Sequence, residues 1–475
     1  MNYSRSIGQA PIVWHRPMPS GQYYRSPPML FLHISDIHFK RKEVGQPDDP
    51  NLALRNDMIQ DVKATRQKIG RAADGILISG DIAYHGAEEE YDFAYAWLET
   101  ALCPAAGCNI QDIFVVPGNH DVERSKGLDP AHALARDGLR NVDVKKVDAE
   151  VSKWLRYKGS AAVIFGPLES YNRFAAKFIC ALKPYTAEDE SKDAEAGEDA
   201  EPPAALPFAK RNVFLSDGSC LRLWGFSTVI VSDENDAKDR MLIDPAAAQI
   251  EVEDGVTHLV TCHHPFNWLR NGRPFADRIN KVAKIQLFGH EHTQRMDEDK
   301  RYLRVRAGAL QPARDEPDWK PGYNWIEIDV ETVEDKRNLV VNTWVRMHET
   351  SKFLAVPDPD GKEIWENRYG LPAWKPSVSS ETQPKEEAPA QAAVTTMVWK
   401  SPPPTTRSVT VKFFKLKEHE QRWVIAKLAL DRTGDRDLKD YEQVINAVRR
   451  SKVEGRLEEL NDLLDKKLAG EATQK

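Results

Sequence analysis

Hydrophobic positions fall in short blocks along the chain, and their spacing sets most of the expected elements. Met29-Leu-Phe-Leu-His-Ile-Ser35 is an apolar run too short for a helix and reads as a buried strand. Leu52, Leu54, Met58, Val62 and Ile69 recur at helical spacing over 51–70. A second strand, Gly75-Ile-Leu-Ile-Ser79, follows, then a helix rich in Glu, Tyr, Phe and Trp over about 87–102, then a third strand, Ile113-Phe-Val-Val116. Strands alternating with helices predict an α/β layered fold.

The alternation breaks at residue 126. Residues 126–185 are helical in character and hold no clear strand. Residues 186–206 are mainly Ala, Glu, Asp and Pro, so burial there cannot offset the entropy of ordering, and a mobile loop is expected. Strands resume at 212–216, 221–231, 257–262, 284–288, 302–307, 323–330 and 338–346, the later ones consecutive as in an antiparallel run. Residues 370–405 are rich in Pro, Ser, Thr, Glu and Ala and read as an interdomain linker. Periodicity returns at 406–475 through Trp423, Ile425, Ala426 and Leu428, then Tyr441, Val444, Ile445 and Val448, then Leu457, Leu460, Leu463 and Leu464. That pattern predicts a small all-helical module of roughly three helices. The expected division is therefore an irregular lead-in at 1–28, a main domain at 29–350 with a helical and acidic insertion at 126–212 that could cap it, an extended region and Pro-rich linker at 351–405, and the helical module at 406–475.

Composition narrows the class. The 475 residues suit two domains with linkers, and 41% hydrophobic residues support a sizeable core. A net charge of −7 gives no global footprint for nucleic acid, although a local basic groove is compatible with it. The five cysteines form no CxxC pair and are expected to be reduced and mostly buried. No apolar run is long enough to span a bilayer, and residues 1–28 lack the apolar centre of a secretory signal. A soluble cytoplasmic protein without membrane attachment is the expectation.

Chemistry is concentrated in five segments, each directly after an expected strand: Ser35-Asp36-Ile37-His38, Ser79-Gly80-Asp81, Pro117-Gly118-Asn119-His120-Asp121, Thr261-Cys262-His263-His264-Pro265 and Phe288-Gly289-His290-Glu291-His292. The carboxyl edge of an open α/β sheet is where ligands collect. In an extended segment, residues two apart point the same way, so Asp36 with His38, and His290 with His292, can each aim two ligands at one point. Gly80, Gly118 and Gly289 permit tight turns beside the ligands. Taken singly, a DxH or a Gly-Asp is an ordinary turn, and a His pair at a strand end is ordinary core. Taken together, they bring five of the thirteen histidines (His38, His120, His263, His290 and His292) to strand ends, with His264 alongside. Carboxylate, imidazole and amide oxygen together suit Mn, Fe, Zn or similar ions. Asp81 is a candidate to bridge two of them, ~3.5–4 Å apart, around a phosphoryl group.

These five segments, in this order over roughly 29–350, resemble the calcineurin-like metallophosphoesterase family, whose motif order is DxH, GD, GNH(D/E), H and GHxH. The resemblance implies a four-layer αββα sandwich beside the separate small all-helical C-terminal domain. It implies two divalent or mixed-valence metal ions, with Asp36, His38 and His292 on the first, Asp81 bridging, and Asn119, His263 and His290 on the second. His120 is then a catalyst that stabilises or protonates the leaving oxygen, Asp121 orients His120, and His264 lies behind the ligands or faces substrate. The implied reaction is phosphoester hydrolysis by a metal-held hydroxide. GNHD rather than GNHE looks more like the cyclic-nucleotide phosphodiesterase and exonuclease branches than the protein phosphatases, which makes a nucleotide or nucleic acid the expected substrate. The tail, with Trp423-Val-Ile-Ala426 and Gly455-Arg-Leu-Glu-Glu-Leu460, resembles the death-fold-like effector-associated adaptors of bacterial conflict systems. On that resemblance an alternative reading is a scaffold or signalling protein whose 406–475 region recruits a protein partner. A plain helical bundle or oligomerisation tail is the competing reading of the same residues.

Overall fold

The computed structural model describes residues 26–46, 48–187, 206–311, 320–375 and 403–472. The strands are β1 Met29–Ile34, β2 Gly75–Ile78, β3 Ile113–Val115, β4 Phe208–Phe214, β5 Cys220–Phe226, β6 Val256–Cys262, β7 Ala283–Phe288, β8 Arg295–Glu298, β9 Leu303–Arg306, β10 Gly322–Val333, β11 Lys336–Glu349, β12 Lys352–Ala355 and β13 Trp365–Gly370. The helices are α1 Leu52–Ile69, α2 Glu88–Trp97, α3 Cys103–Ala106, α4 Arg124–Gly127, α5 Pro130–Arg140, α6 Val147–Arg156, α7 Lys158–Phe165, α8 Glu169–Ala176, α9 Gly272–Val282, α10 Thr406–Phe414, α11 Glu418–Lys427, α12 Asp440–Val453 and α13 Leu457–Ala472.

Two mixed sheets stand face to face between helical layers. The first runs β12-β11-β10-β1-β2-β3, with β13 also on β11, and the second runs β4-β5-β6-β7-β9-β8. In both, the strands that carry the motifs are parallel to a neighbour: β1 with β2, β2 with β3, and β6 with β7. Strands covered on both faces read as continuous apolar runs, which is why β1, β2 and β6 are legible in the sequence. Side-chain alternation then sorts the second sheet. Leu221, Leu223, Leu259, Ile285 and Leu287 join the core between the sheets, with Phe31, Leu77, Phe114 and Ile326 of the first sheet. Trp224, Phe226, Val260, Cys262 and Phe288 face the other way, into a second core.

Three expectations change. The insertion beginning at residue 126 is helical, but it supplies the outer layer of the second sheet. Ala135, Leu139, Val151, Leu155 and Ile164 share a core with Val260 and Phe275, so apolar burial holds these helices to the sheet rather than over the site as a cap. The main domain also continues past residue 350. β12 and β13 pair antiparallel with β11, with Phe353 and Tyr369 buried, where an extended region was expected. Finally, β9 is parallel to β7, so the late strands are not one antiparallel run. The acidic loop expected at 186–206 and the linker at 370–405 lie mostly outside the described residues, as does most of the 1–28 lead-in.

Among the described residues the tail has four α-helices, where roughly three were expected. The extra one, α10, is rich in Thr and Val, which favour strands. A reciprocal cap starts it: Thr405 Oγ1 accepts from Ser408 N at 3.1 Å, and Ser408 Oγ accepts from Thr405 N at 3.0 Å. Burial of Val409 and Phe413 against Val424, Val444, Val448, Leu460 and Leu464 completes a core of its own. The module rests on the main domain through Tyr441 and Ile445 against Ala176. Ion pairs ring this patch, among them Lys415–Glu99 at 2.7 Å, Lys439–Glu169 at 3.2 Å and Arg407–Asp112 at 3.3 Å. Among the described residues, no helix is long and apolar enough to cross a membrane.

Candidate metal centre

Five of the expected site residues share an unusual backbone. Asp36 (φ 53°), His38 (φ 51°), Asp81 (φ 55°), His290 (φ 69°) and His292 (φ 52°) are all left-handed although none is glycine. Such residues cost about 1–3 kcal/mol each and cluster where function requires them. Hydrogen bonds between the loops hold them in place. Asp36 N donates to Gly80 O at 3.0 Å, His38 N to Asp81 O at 3.0 Å, Gln311 N to Asp36 O at 3.0 Å and Gly289 N to His263 O at 3.1 Å. The paired ligands therefore converge through left-handed turns laced to one another, not through the extended spacing argued from the sequence. Two of the glycines matter for closeness. A Cβ on Gly118 would stand 2.1 Å from Asp81 Oδ1, and one on Gly289 would stand 2.1 Å from Ser35 Oγ.

The side chains meet as the five segments suggest. Asp36, Asp81, His263 and His264 are essentially inaccessible, and His38 is 3% exposed. Each carboxylate has one oxygen held by a backbone amide: Asp81 Oδ1 accepts from His120 N at 2.8 Å, and Asp36 Oδ2 from His290 N at 3.1 Å. Their other oxygens face the imidazoles. Asp36 Oδ1 is 3.3 Å from His292 Nε2 and 3.8 Å from His38 Nε2, and Asp81 Oδ2 is 3.7 Å from His38 Nε2 and 3.3 Å from His263 Nε2. Asn119 Oδ1 lies 3.0 Å from His263 Nε2 and 3.1 Å from His290 Nδ1. Ligand atoms within 4.8 Å of one another define four overlapping groups: Asp36/His38/His292, Asp36/Asp81/His263, His38/Asp81/His120 and His263/His264/His290.

This donor set fits metal. Asp36 Oδ1, Asp81 Oδ2 and His38 Nε2 are buried polar atoms without a hydrogen-bond partner, and all three point into the cluster; such atoms are costly unless a ligand takes them up. His263 Nδ1 donates to Ser79 O at 2.8 Å, which fixes the tautomer and leaves Nε2 as a donor to metal. Burial drives His38 and His290 down to about 3, so both rings are neutral with a lone pair available. Burial also works against charge on His263, yet the Asp81 and Asp36 carboxylates outweigh it and raise the ring to about 9. The site thus favours positive charge, a demand that a divalent cation meets.

Two residues differ from their expected placement. Asp121 does not touch His120. Its buried carboxylate accepts from Ile82 N at 3.1 Å, Ala83 N at 3.0 Å, Gly118 N at 2.8 Å and Tyr91 Oη at 2.9 Å, so it braces the turns behind Asp81 and Asn119. Those donors use up its acceptor capacity, and the expected catalytic role in orienting His120 is corrected. His120 is oriented instead by the Tyr84 carbonyl, which accepts from Nδ1 at 2.9 Å. His264 sits with the ligands: Nδ1 meets Thr228 Oγ1 at 2.9 Å, and buried Nε2 has no hydrogen-bond partner. Sequence reasoning missed Tyr84, Thr228 and Trp268, whose ring centroid lies 4.0 Å from that of His290. Thr228 follows β5 with no motif around it. Tyr84 stands three residues beyond Asp81 and Trp268 five beyond His263, a proximity that the sequence does display.

An αββα sandwich with carboxylate and imidazole donors at its strand ends defines a metal-dependent phosphoester hydrolase. Residues 29–294 match the model of the calcineurin-like phosphoesterase family, and the chain belongs to that family. Among solved structures it is similar to Vps29 of Chaetomium thermophilum, at 10% identity over 72% of this chain and 100% of that one, with a TM-score of 0.26. It is also similar to Vacuolar Protein Sorting 29 of Cryptosporidium parvum, at 9% identity over 73% and 100% of the two chains, with a TM-score of 0.28. A Streptococcus pneumoniae protein described as a predicted phosphoesterase aligns at 10% identity over 73% and 99%, with a TM-score of 0.25. No match is found among curated proteins.

Proposed function

We propose that the chain is a dinuclear metal-dependent phosphodiesterase acting on a nucleotide or a nucleic acid. The observation that carries this reading is the convergence of Asp36 Oδ1, Asp81 Oδ2 and His38 Nε2, buried and without hydrogen-bond partners, on one cluster of imidazoles. Asp36, His38 and His292 would hold one ion and Asn119, His263 and His290 the other, with Asp81 shared between them, and Mn, Fe or Zn would match the donors. His264 packs against the rings of His263 and His290, at 5.0 and 4.3 Å between centroids, and steadies them. When bound, the metal pair supplies an activated water and neutralises the phosphoryl charge. The chain's own residues do the rest. Asp81 is aimed by the His120 amide. His120 is oriented through Nδ1 by the Tyr84 carbonyl, which leaves Nε2 as the atom that faces the leaving oxygen and, in the doubly protonated ring, gives it a proton.

The test is a panel of cyclic nucleotides, single-stranded DNA, phosphomonoesters and bis(4-nitrophenyl) phosphate, assayed with Mn²⁺. Two metal equivalents per chain with diester turnover exceeding monoester turnover is the expected result. Monoester turnover alone would overturn the phosphodiesterase assignment. Five free thiols support a reducing, cytoplasmic setting. The module at 406–472, with a core of its own and Trp423 43% exposed, supports a second role as the docking surface for a protein partner. Loss of a co-purifying protein in a Trp423→Ala variant is the readout for that role.

A further inference from the structure

We propose that the leaving group of the substrate carries a second phosphate, held by Arg124 and Lys40 beside His120. This rests on the phosphodiesterase reading above and says which kind of diester the site takes.

The cations around the cluster are distributed unevenly. On the His120 side, the Tyr84 ring lies 4.9 Å from the His120 ring. Two cations share that tyrosine: Lys40 Nζ stands 4.5 Å from the ring centroid and the Arg124 guanidinium 5.8 Å from it. Arg124 also comes within 3.4 Å of His120 Nδ1. Both residues belong to the ligand loops themselves, Lys40 two residues after His38 and Arg124 four after His120. Their neighbours' charges are largely taken: Arg41 pairs with Glu89 at 3.2 Å, Lys126 with Glu123 at 2.8 Å, and Lys40 itself meets Glu43 only at 3.5 Å. Arg124 is exposed and has no carboxylate within ion-pair distance among the described residues. On the opposite side, Glu291 sits between the ligands His290 and His292 and neutralises the cations there, Arg306 at 2.7 Å and Lys238 at 3.7 Å.

The chemistry assigns the two sides. In an in-line displacement the group protonated by His120 departs on the His120 side. That side offers the Arg124 guanidinium with no carboxylate partner among the described residues, beside Lys40 shared with Glu43, while on the far side Glu291 pairs with both cations. A guanidinium and an ammonium flanking one ring fit a phosphate oxyanion, the guanidinium through paired N–H donors. A leaving group that ends in a bare hydroxyl, as in a cyclic nucleotide, makes no use of them. The shared chemistry is a phosphate one linkage beyond the scissile one, from either the next nucleotide of a strand or the remainder of a polyphosphate chain.

The test compares kcat/KM with Mn²⁺ on oligothymidylate, on a dinucleoside tetraphosphate and on bis(4-nitrophenyl) phosphate, whose leaving group has no phosphate. The expected result is a preference of the native chain for at least one phosphate-bearing substrate. Arg124→Ala lowers the ratio of that kcat/KM to the bis(4-nitrophenyl) phosphate value about tenfold, the scale of a charge-assisted hydrogen bond. Arg124→Lys restores part of it, Lys40→Ala shifts the ratio in the same direction, and salt erodes the preference in the native chain. The arm that responds, strand or polyphosphate, names the source of the second phosphate. A ratio unchanged in both alanine variants, or equal loss on every substrate, overturns the inference while leaving the phosphodiesterase reading intact. A native chain that cleaves no diester at all overturns that reading, and this inference with it.

Discussion

His120 reaches the centre on a short turn, with its amide on Asp81 and its Nδ1 on the Tyr84 carbonyl. The bond to Asp81 is made by the backbone amide and survives loss of the imidazole, so the role of this side chain is separable from metal binding. His120→Ala is expected to keep two metal equivalents, measured by elemental analysis. Turnover of a diester with an alkoxide leaving group then falls by about 10²–10⁴-fold, the usual size of general acid–base catalysis. The fall is smaller on bis(4-nitrophenyl) phosphate, whose leaving group needs no proton. Native-like turnover of both substrates would remove His120 from the mechanism. At this scale the ligand identities were legible, because hard oxygen and imidazole donors in a fixed order are a chemical statement in themselves. Roles were less so. The fate of Asp121 was decided by three amides and a tyrosine hydroxyl that only the folded chain brings to it.

At the scale of elements, continuous apolar runs revealed the doubly covered strands, and their ends revealed the site. The strands missed were β8, β12 and β13, which lie away from the sheet centres. Arg295-Met-Asp-Glu298 has no buried position, and Trp365-Glu-Asn-Arg-Tyr-Gly370 alternates in burial but fills one of its two buried positions with the polar Asn367. Backbone pairing defines them, and backbone pairing leaves no side-chain signature. Helix α10 was missed for the opposite reason, since its Thr and Val argue for a strand while its cap and buried Val409 and Phe413 hold it helical. Phe413 is fully buried in the module's core, so Phe413→Ala is expected to cost about 3–5 kcal/mol. In a thermal melt followed by circular dichroism, the module's transition moves down and the metal-binding domain's does not. A single transition moving as a whole would show that the tail and the main domain unfold as one unit.

For the whole molecule, two sheets and the loops between them confine Asp36 and Asp81 side by side in a place shielded from water, where positive charge is needed. Metal binding and folding are therefore coupled. Chelation with EDTA is expected to lower Tm, and Mn²⁺ to restore it with a concentration dependence that saturates. The gain is about 2.7 kcal/mol once free metal exceeds its Kd a hundredfold. A Tm indifferent to metal would mean that the cluster does not bind the ion in the folded state. The sequence by itself determined the doubly covered strands, the five strand-end segments and the donor chemistry, because strand burial and ligand type are properties of the residues present. Tertiary structure alone decided the left-handed turns that make the ligands converge, the position of the insertion outside the second sheet, and the placing of Arg124 and Lys40 on one ring. Each of these depends on contacts between segments far apart in the chain, whose distances no local pattern encodes.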